Sequence, residues 1–379
     1  MQSSVTVQQR QQEQRPVPAP ARPAAAKERL AALDGLRLLA ALMVVLYHYM
    51  AFNAGAWSKP VAQIFTIGSW PASYGWAGVE LFFLISGFVI CMSAWGRTVG
   101  EFASSRVTRL YPAYWFAVIA TALVSVIWPG INNVPKLGDI TVNLTMLHEP
   151  LKVTPVDGVY WTLWVELKFY LLFALVVWKG LTYRRALGFC VVWGLAAAFA
   201  TTVNVPVLDA LLLPDDCWYF IAGIAFYLMY RYGPNLVLWL VVASCYLISQ
   251  HFLMQAQTHA EKYIGRNVPE WPTTMLLTLF FLAMAAVALG WTRRIRWGWL
   301  STAGVLTYPL YLLHERIGWV VIQHTEPYLS QYVLVPALIA AMLGAAWLLH
   351  RFWERPLARL VKRGMNRALA DMRTARERI

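Results

Sequence analysis

Charge is scarce in this chain: only 13% of its residues are Asp, Glu, Lys or Arg, while 59% are hydrophobic and the mean hydropathy is +0.50. Water-soluble domains carry about a quarter charged residues, so a soluble globular fold is excluded. Acidic residues are the scarcer sign, 19 against 32 Lys and Arg, which leaves a net charge of +13. The cations fall in short clusters between apolar runs, the pattern of cytoplasmic loops, and not on a continuous basic face. Nucleic acid is therefore excluded as a partner. Cysteine is rare and dispersed: Cys91, Cys190, Cys217 and Cys245 form no C-x-x-C pair and no metal-ligand spacing. They read as small core residues, and no metal site is expected. Large apolar side chains are almost missing from residues 1–29, which are rich in Gln, Pro, Ala and Arg. Such a segment cannot bury enough surface to fold and reads as a disordered cytoplasmic tail. It has no secretory-signal pattern. No internal repeat is found, and no appended soluble domain is expected.

What remains is apolar. A spanning helix needs roughly 20 mostly apolar residues, and that window selects ten stretches: 36–53, 76–95, 110–128, 160–178, 186–203, 213–230, 235–253, 273–291, 299–320 and 331–350. With the N-terminus inside, most of the 32 Lys and Arg fall in inner segments, which supports ten helices with both termini cytoplasmic. The expected fold class is an all-α polytopic membrane protein of about ten transmembrane helices, in the plasma or inner membrane. Its domains are the tail 1–29, the transmembrane body 30–356 and a basic cytoplasmic tail 357–379. The longest outer connections, 129–159 and 254–272, provide material for a pocket or lid. Trp and Tyr, 19 and 18 in number, belong mostly to interfacial belts.

Ionisable groups inside the spans carry the chemical argument, because charge at membrane depth is costly and usually faces a cavity or a polar partner. In "LRLLAALMVVLYHYM", Arg37 and His48 are eleven residues apart. At 100° and 1.5 Å per residue the two side chains share a face, about 16 Å apart along the axis. The simpler reading is a snorkelling Arg and a His bonded to a neighbouring helix. In "SSRVTRLYPAYW", Arg106 and Arg109 share a helical face where the third span enters, with Pro112 in its first turns. Paired guanidinium forks suit a polyanionic phosphate, although an ordinary positive-inside anchor has the same look. Glu166, in "DGVYWTLWVELKFYLLF", sits inside the fourth span, and Lys168 points elsewhere. Glu166 is available to a hydroxyl substrate or to His48, or to a plain helix-helix hydrogen bond. In "TYPLYLLHERIGW", Tyr308, Tyr311 and His314 share a face; Glu315 and Arg316 read as a lesser, local set. Ser86-Gly87 reads as a close helix contact and not as a nucleophile.

Six motifs in order, R-x10-H at 37–48, "FFLISGF" at 82–88, R-x-x-R-L-Y-P at 106–112, "WTLWVELKFYL" at 161–171, "TYPLYLLH" at 307–314 and "WERP" at 353–356, resemble the membrane-bound acyltransferase-3 family. They span nearly all of residues 30–356. The resemblance implies an acyl-CoA-dependent O-acyltransferase (EC 2.3.1-type) that moves an acyl group, usually acetyl from acetyl-CoA, to a hydroxyl of a carbohydrate, envelope glycan or natural product. Thr162 stands where the family commonly has Ser, and Leu167 where a second acidic residue is frequent.

On this resemblance Arg37, Arg106 and Arg109 are expected to hold the phosphates of acyl-CoA, a co-substrate and not a resident cofactor, while the pantetheine arm follows the first helix to His48. His48 would take the acceptor hydroxyl's proton, or carry the acyl group as an acyl-His intermediate. Glu166 would orient His48 or the acceptor. Trp161, Tyr308, Tyr311 and His314 would line the acceptor side. All of this requires the three arginines and His48 to line one continuous channel. A small secondary metabolite such as a macrolide is the alternative acceptor. A lipid-linked sugar transporter or flippase is the alternative of another class, although it would normally show two repeated halves with broken helices. Membrane lipid and a second copy of the chain are further expected partners.

Overall fold

A computed structural model describes residues 30–129, 134–203 and 205–377. The expected tail at 1–29 lies outside the described residues. Helices α1 to α10 cover Ala31–Met50, Gly78–Ala94, Val99–Ile127, Trp161–Trp178, Tyr183–Val203, Cys217–Tyr232, Leu236–Ile264, Trp271–Ala288, Gly298–Thr325 and Gln331–Leu349. Helix α11, Arg355–Glu377, occupies most of the expected C-terminal tail. Among the described residues there is no strand, and nine helical stretches are long and apolar enough to cross a membrane. The chain is an all-α polytopic membrane protein. Helix α9 is not one of the nine, although its 28 residues reach about 42 Å. Tyr308, Tyr311, His314, Glu315 and Arg316 dilute its apolar run. Those residues are buried or partly buried against α1, α3 and α10.

Several boundaries differ from the sequence expectation for local reasons. Helix α3 begins at Val99, not 110, because Thr98 and Glu101 form a capping box that satisfies the first free N–H groups before the apolar run starts. Arg106 and Arg109 therefore lie two to three turns inside a helix, and Pro112 lies near its middle, not in its first turns. Helix α7 continues to Ile264, where Gly265 at φ +76° closes it. Most of the expected 254–272 loop is therefore helical.

Helix α6 is almost wholly buried and packs most extensively on α2. The crossing point is a glycine pair: a Cβ on Gly87 would collide with the Phe220 carbonyl, and one on Gly223 with the Leu84 carbonyl. The backbones touch there because neither residue has a side chain. Gly223→Ala is expected to destabilise the protein by about 1–3 kcal/mol or more, seen as a lower unfolding temperature in detergent. The second main pairing joins α1 to α9. Tyr49 donates its hydroxyl hydrogen to the His314 carbonyl at 2.8 Å, and Trp319 Nε1 donates to the His48 carbonyl at 2.9 Å.

The connection between α3 and α4 is organised by buried Asn143. Its amide donates to the Asp139 and Thr154 carbonyls, and its oxygen accepts from Val156 N. Tyr114 of α3 donates to the Asn143 carbonyl at 2.7 Å. This scaffold delivers Asp157, Gly158 and Val159 to the middle of α9. All four cysteines are buried.

Candidate active site

Helices α1, α2, α3, α4 and α9 enclose a cavity of about 110 Å³. A water molecule needs roughly 10–15 Å³ of such space, so the cavity suits a file of waters or a slender chain. Arg37 of α1 and both Arg106 and Arg109 of α3 line it. Arg37 Nη1 stands 3.9 Å from Asp34 Oδ1, and Arg109 Nη1 stands 3.5 Å from Glu354 Oε1. Arg106 donates to Ser105 Oγ at 2.8 Å and lies over the Tyr170 ring, while its Nε is buried without a hydrogen-bond partner. A buried donor left open in this way is costly, and an anion in the cavity would satisfy it. Glu166 supplies the one carboxylate of the lining and accepts from Ser86 Oγ at 2.6 Å. Asp34 and Glu354, outside the lining, offset Arg37 and Arg109, which leaves Arg106 as the guanidinium best placed to draw an anion into the cavity.

Tyr311 lines the same cavity and connects it to a pair of imidazoles. Its hydroxyl is 3.0 Å from Thr162 Oγ1, which itself donates to the Val159 carbonyl at 2.9 Å. The Tyr311 ring lies 5.5 Å from that of His314, centre to centre. His314 Nε2 in turn lies 3.2 Å from His48 Nδ1. The imidazoles do not line the cavity themselves. The uninterrupted channel expected from sequence is thus an arginine-lined cavity with a histidine pair beyond Tyr311.

The partners of the two rings assign their tautomers. A carbonyl oxygen only accepts, so His48 Nδ1, 2.9 Å from the Val44 carbonyl, carries a hydrogen, as does His314 Nδ1, 2.8 Å from the Tyr311 carbonyl. His314 Nε2 then offers its lone pair to His48 Nδ1. The nitrogen left to take a proton is Nε2 of His48, 3.6 Å from Glu315 Oε1. The other Glu315 oxygen accepts from Val159 N at 2.8 Å. Gly158 permits this approach, since a Cβ there would stand 2.8 Å from both carboxylate oxygens. Buried Asp157 completes the tie, accepting from Val159 N at 3.3 Å and from Arg316 N at 3.2 Å.

The acyltransferase-3 family model, described as an acyltransferase domain, matches residues 30–351. This chain belongs to that family. It is similar to acyltransferase MdmB of Streptomyces mycarofaciens, 28% identical over 88% of this chain and 93% of the relative. It is also similar to exopolysaccharide production protein ExoZ of Rhizobium meliloti, 34% identical over 33% of this chain and 38% of that protein. Protein 2 in the picA locus of Rhizobium radiobacter is 37% identical over 26% of this chain and 45% of its own length. No solved structure matches. The family makes this multi-pass membrane protein an acyltransferase.

Arg37, Arg106, Arg109, Glu166, Tyr308 and Tyr311 thus meet at one cavity, and His48 and His314 meet beside it. Trp161 does not join them: it is 42% exposed, edge-on to Phe83. The family's usual Ser hydroxyl survives in Thr162. The carboxylate that faces His48 is Glu315, whereas Glu166 is held by Ser86 inside the cavity. Sequence reasoning gave no role to Asp157 or Glu354, read Ser86 only as a packing residue and placed Glu315 below His314. The sequence signals were the "FFLISGF" and "WERP" motifs and the run of His314, Glu315 and Arg316 inside a span.

Proposed function

We propose that this protein is an integral membrane O-acyltransferase that moves an acetyl group from acetyl-CoA to a hydroxyl of a carbohydrate or envelope glycan, in the plasma or inner membrane. The observation that carries the reading is the convergence of Arg37, Arg106 and Arg109 on one cavity whose lining includes Tyr311, the neighbour of the His48–His314 pair. The guanidinium groups bind the donor's phosphates from the cytoplasmic side, and the slender pantetheine arm extends along the cavity toward Tyr311. His48 Nε2 takes the proton of the acceptor hydroxyl as its oxygen attacks the thioester carbonyl. The C–S bond breaks, and the thiolate leaves as coenzyme A after protonation. Holding both reactants in place supplies much of the acceleration. Glu315, 3.6 Å from His48 Nε2, steadies the imidazolium that forms. The similarity to a protein named for exopolysaccharide production favours a glycan acceptor.

Membranes containing the protein, incubated with acetyl-labelled acetyl-CoA, are expected to carry label in polymer or lipid-linked glycan. Label confined to a small-molecule fraction would replace the glycan by a secondary metabolite, and label in no fraction would remove acetyl-CoA as the donor. Arg106→Ala is expected to raise the donor KM about ten- to a hundredfold, the worth of one charge-assisted hydrogen bond, with kcat little changed. An unchanged donor KM in steady-state assays would take the phosphate role away from Arg106.

A further inference from the structure

Helix α10 does not stop at Leu349. It passes through a π-helical turn, His350–Glu354, and continues as α11. Such turns widen a helix by one residue and frequently mark functional positions. This one opens a cleft of about 510 Å³ lined by His350, Arg351, Glu354, Arg355, Ala358 and Arg359. Arg351, Arg355 and Arg359 follow one another at four-residue spacing, and all three are exposed. Like charges at that spacing repel, and among the described residues none of the three forms an ion pair with a carboxylate. The one acid of the cleft is already engaged: buried Glu354 takes Arg109 at 3.5 Å through one oxygen and His350 at 2.8 Å through the other. Arg359 Nε donates to the Arg355 carbonyl at 3.3 Å, which holds its fork at the cleft. The arrangement is a row of planar donors with no acceptor, the geometry that suits a phosphate.

We propose that this cleft is a second anion site, separate from the cavity, that binds a phosphate monoester or diester. Two sources share that chemistry: the nucleotide end of a CoA thioester and the headgroup of an anionic phospholipid. Only the first rests on the proposed function. Glu354 lines the cleft alone but links the two sites, with one oxygen on the cavity's Arg109 and the other on the cleft's His350. An anion in the cleft therefore acts on the same carboxylate that positions Arg109.

The test uses the full-length protein in phosphatidylcholine nanodiscs. Adenosine 3′,5′-bisphosphate is titrated by calorimetry, and phosphatidylglycerol retention is followed by native mass spectrometry. The triple variant Arg351→Gln, Arg355→Gln, Arg359→Gln is expected to lose about ten- to a hundredfold in affinity for one of the two probes. Loss confined to the bisphosphate identifies the nucleotide end, and loss confined to phosphatidylglycerol identifies the headgroup. Should the triple variant not fold, Ala358→Glu serves instead, because it sets a competing carboxylate in the cleft and leaves the arginines in place; the same loss is expected. Wild-type protein that binds neither probe, or variants that bind both as wild type does, would overturn the proposal. Both readouts are independent of acyl transfer, so a failure of the proposed activity would leave them interpretable.

Discussion

His48→Ala is expected to lower turnover by about 10²–10⁴-fold, the usual contribution of a positioned general base, in protein that still inserts and stays monodisperse in detergent. The expectation rests on the hydrogen bonds around the ring. Val44 and His314 fix the hydrogen on His48 Nδ1, so the only basic nitrogen of that ring is Nε2. The variant gives up the side-chain contacts to His314 and Glu315 but keeps the main-chain tie between the helices, because the His48 carbonyl accepts from Trp319 whatever the side chain is. Donor KM should stay near its wild-type value, since the arginines belong to a separate cavity. Wild-type turnover in the variant, measured with labelled acetyl-CoA, would remove His48 from the mechanism. A single-turnover experiment on wild type separates the two chemical routes: label trapped on the protein at His48 indicates an acyl-His intermediate, and its absence through a productive turnover indicates direct transfer.

Glu315→Gln is expected to reduce kcat about 10²-fold with donor KM unchanged. The glutamine carbonyl still accepts from Val159 N, so the 157–160 segment keeps its anchor. What is lost is the carboxylate oxygen beside His48 Nε2, and with it the acceptor for the imidazolium formed when the base takes its proton. Glu315→Ala goes further. It leaves the Val159 N–H with only the longer contact to Asp157, at a cost of about 1–3 kcal/mol in stability, visible as a lower unfolding temperature that Glu315→Gln does not show. A double-mutant cycle between His48→Ala and Glu315→Gln measures the coupling. Additive effects would mean that the carboxylate acts through the 157–160 segment alone.

The residues that sequence could place are those whose role follows from their own helix. Arg37 and His48 share a face of α1 by arithmetic alone, as Arg106 and Arg109 do on α3, and membrane depth makes every one of these charges conspicuous. The length of the apolar runs also fixes the helix count closely. It does not place helix starts. The first three turns of α3 are polar enough to pass for a loop, and the capping box makes them helical. Long-range pairing was out of reach. Nothing local in α9 distinguishes Glu315, which faces His48, from Arg316 beside it, and the choice of Glu315 over Glu166 depends on how α1 packs against α9. Ser86 likewise reads as a packing residue until its 2.6 Å bond to Glu166 is seen. Trp161 shows another limit of the motif: it sits one residue past a buried Tyr160, is 42% exposed and lies outside the cavity lining.

The paired ties between α1 and α9 have a mechanical effect. Each histidine's own carbonyl is gripped by an aromatic donor from the opposite helix, Trp319 on one and Tyr49 on the other. Sliding or rotating either rod would break both grips at once, so the spacing of the two imidazoles is locked by the backbone and not by the surrounding lipid. A bilayer that is stretched or thinned is therefore expected to leave the two imidazoles in register, because both grips lie within the protein.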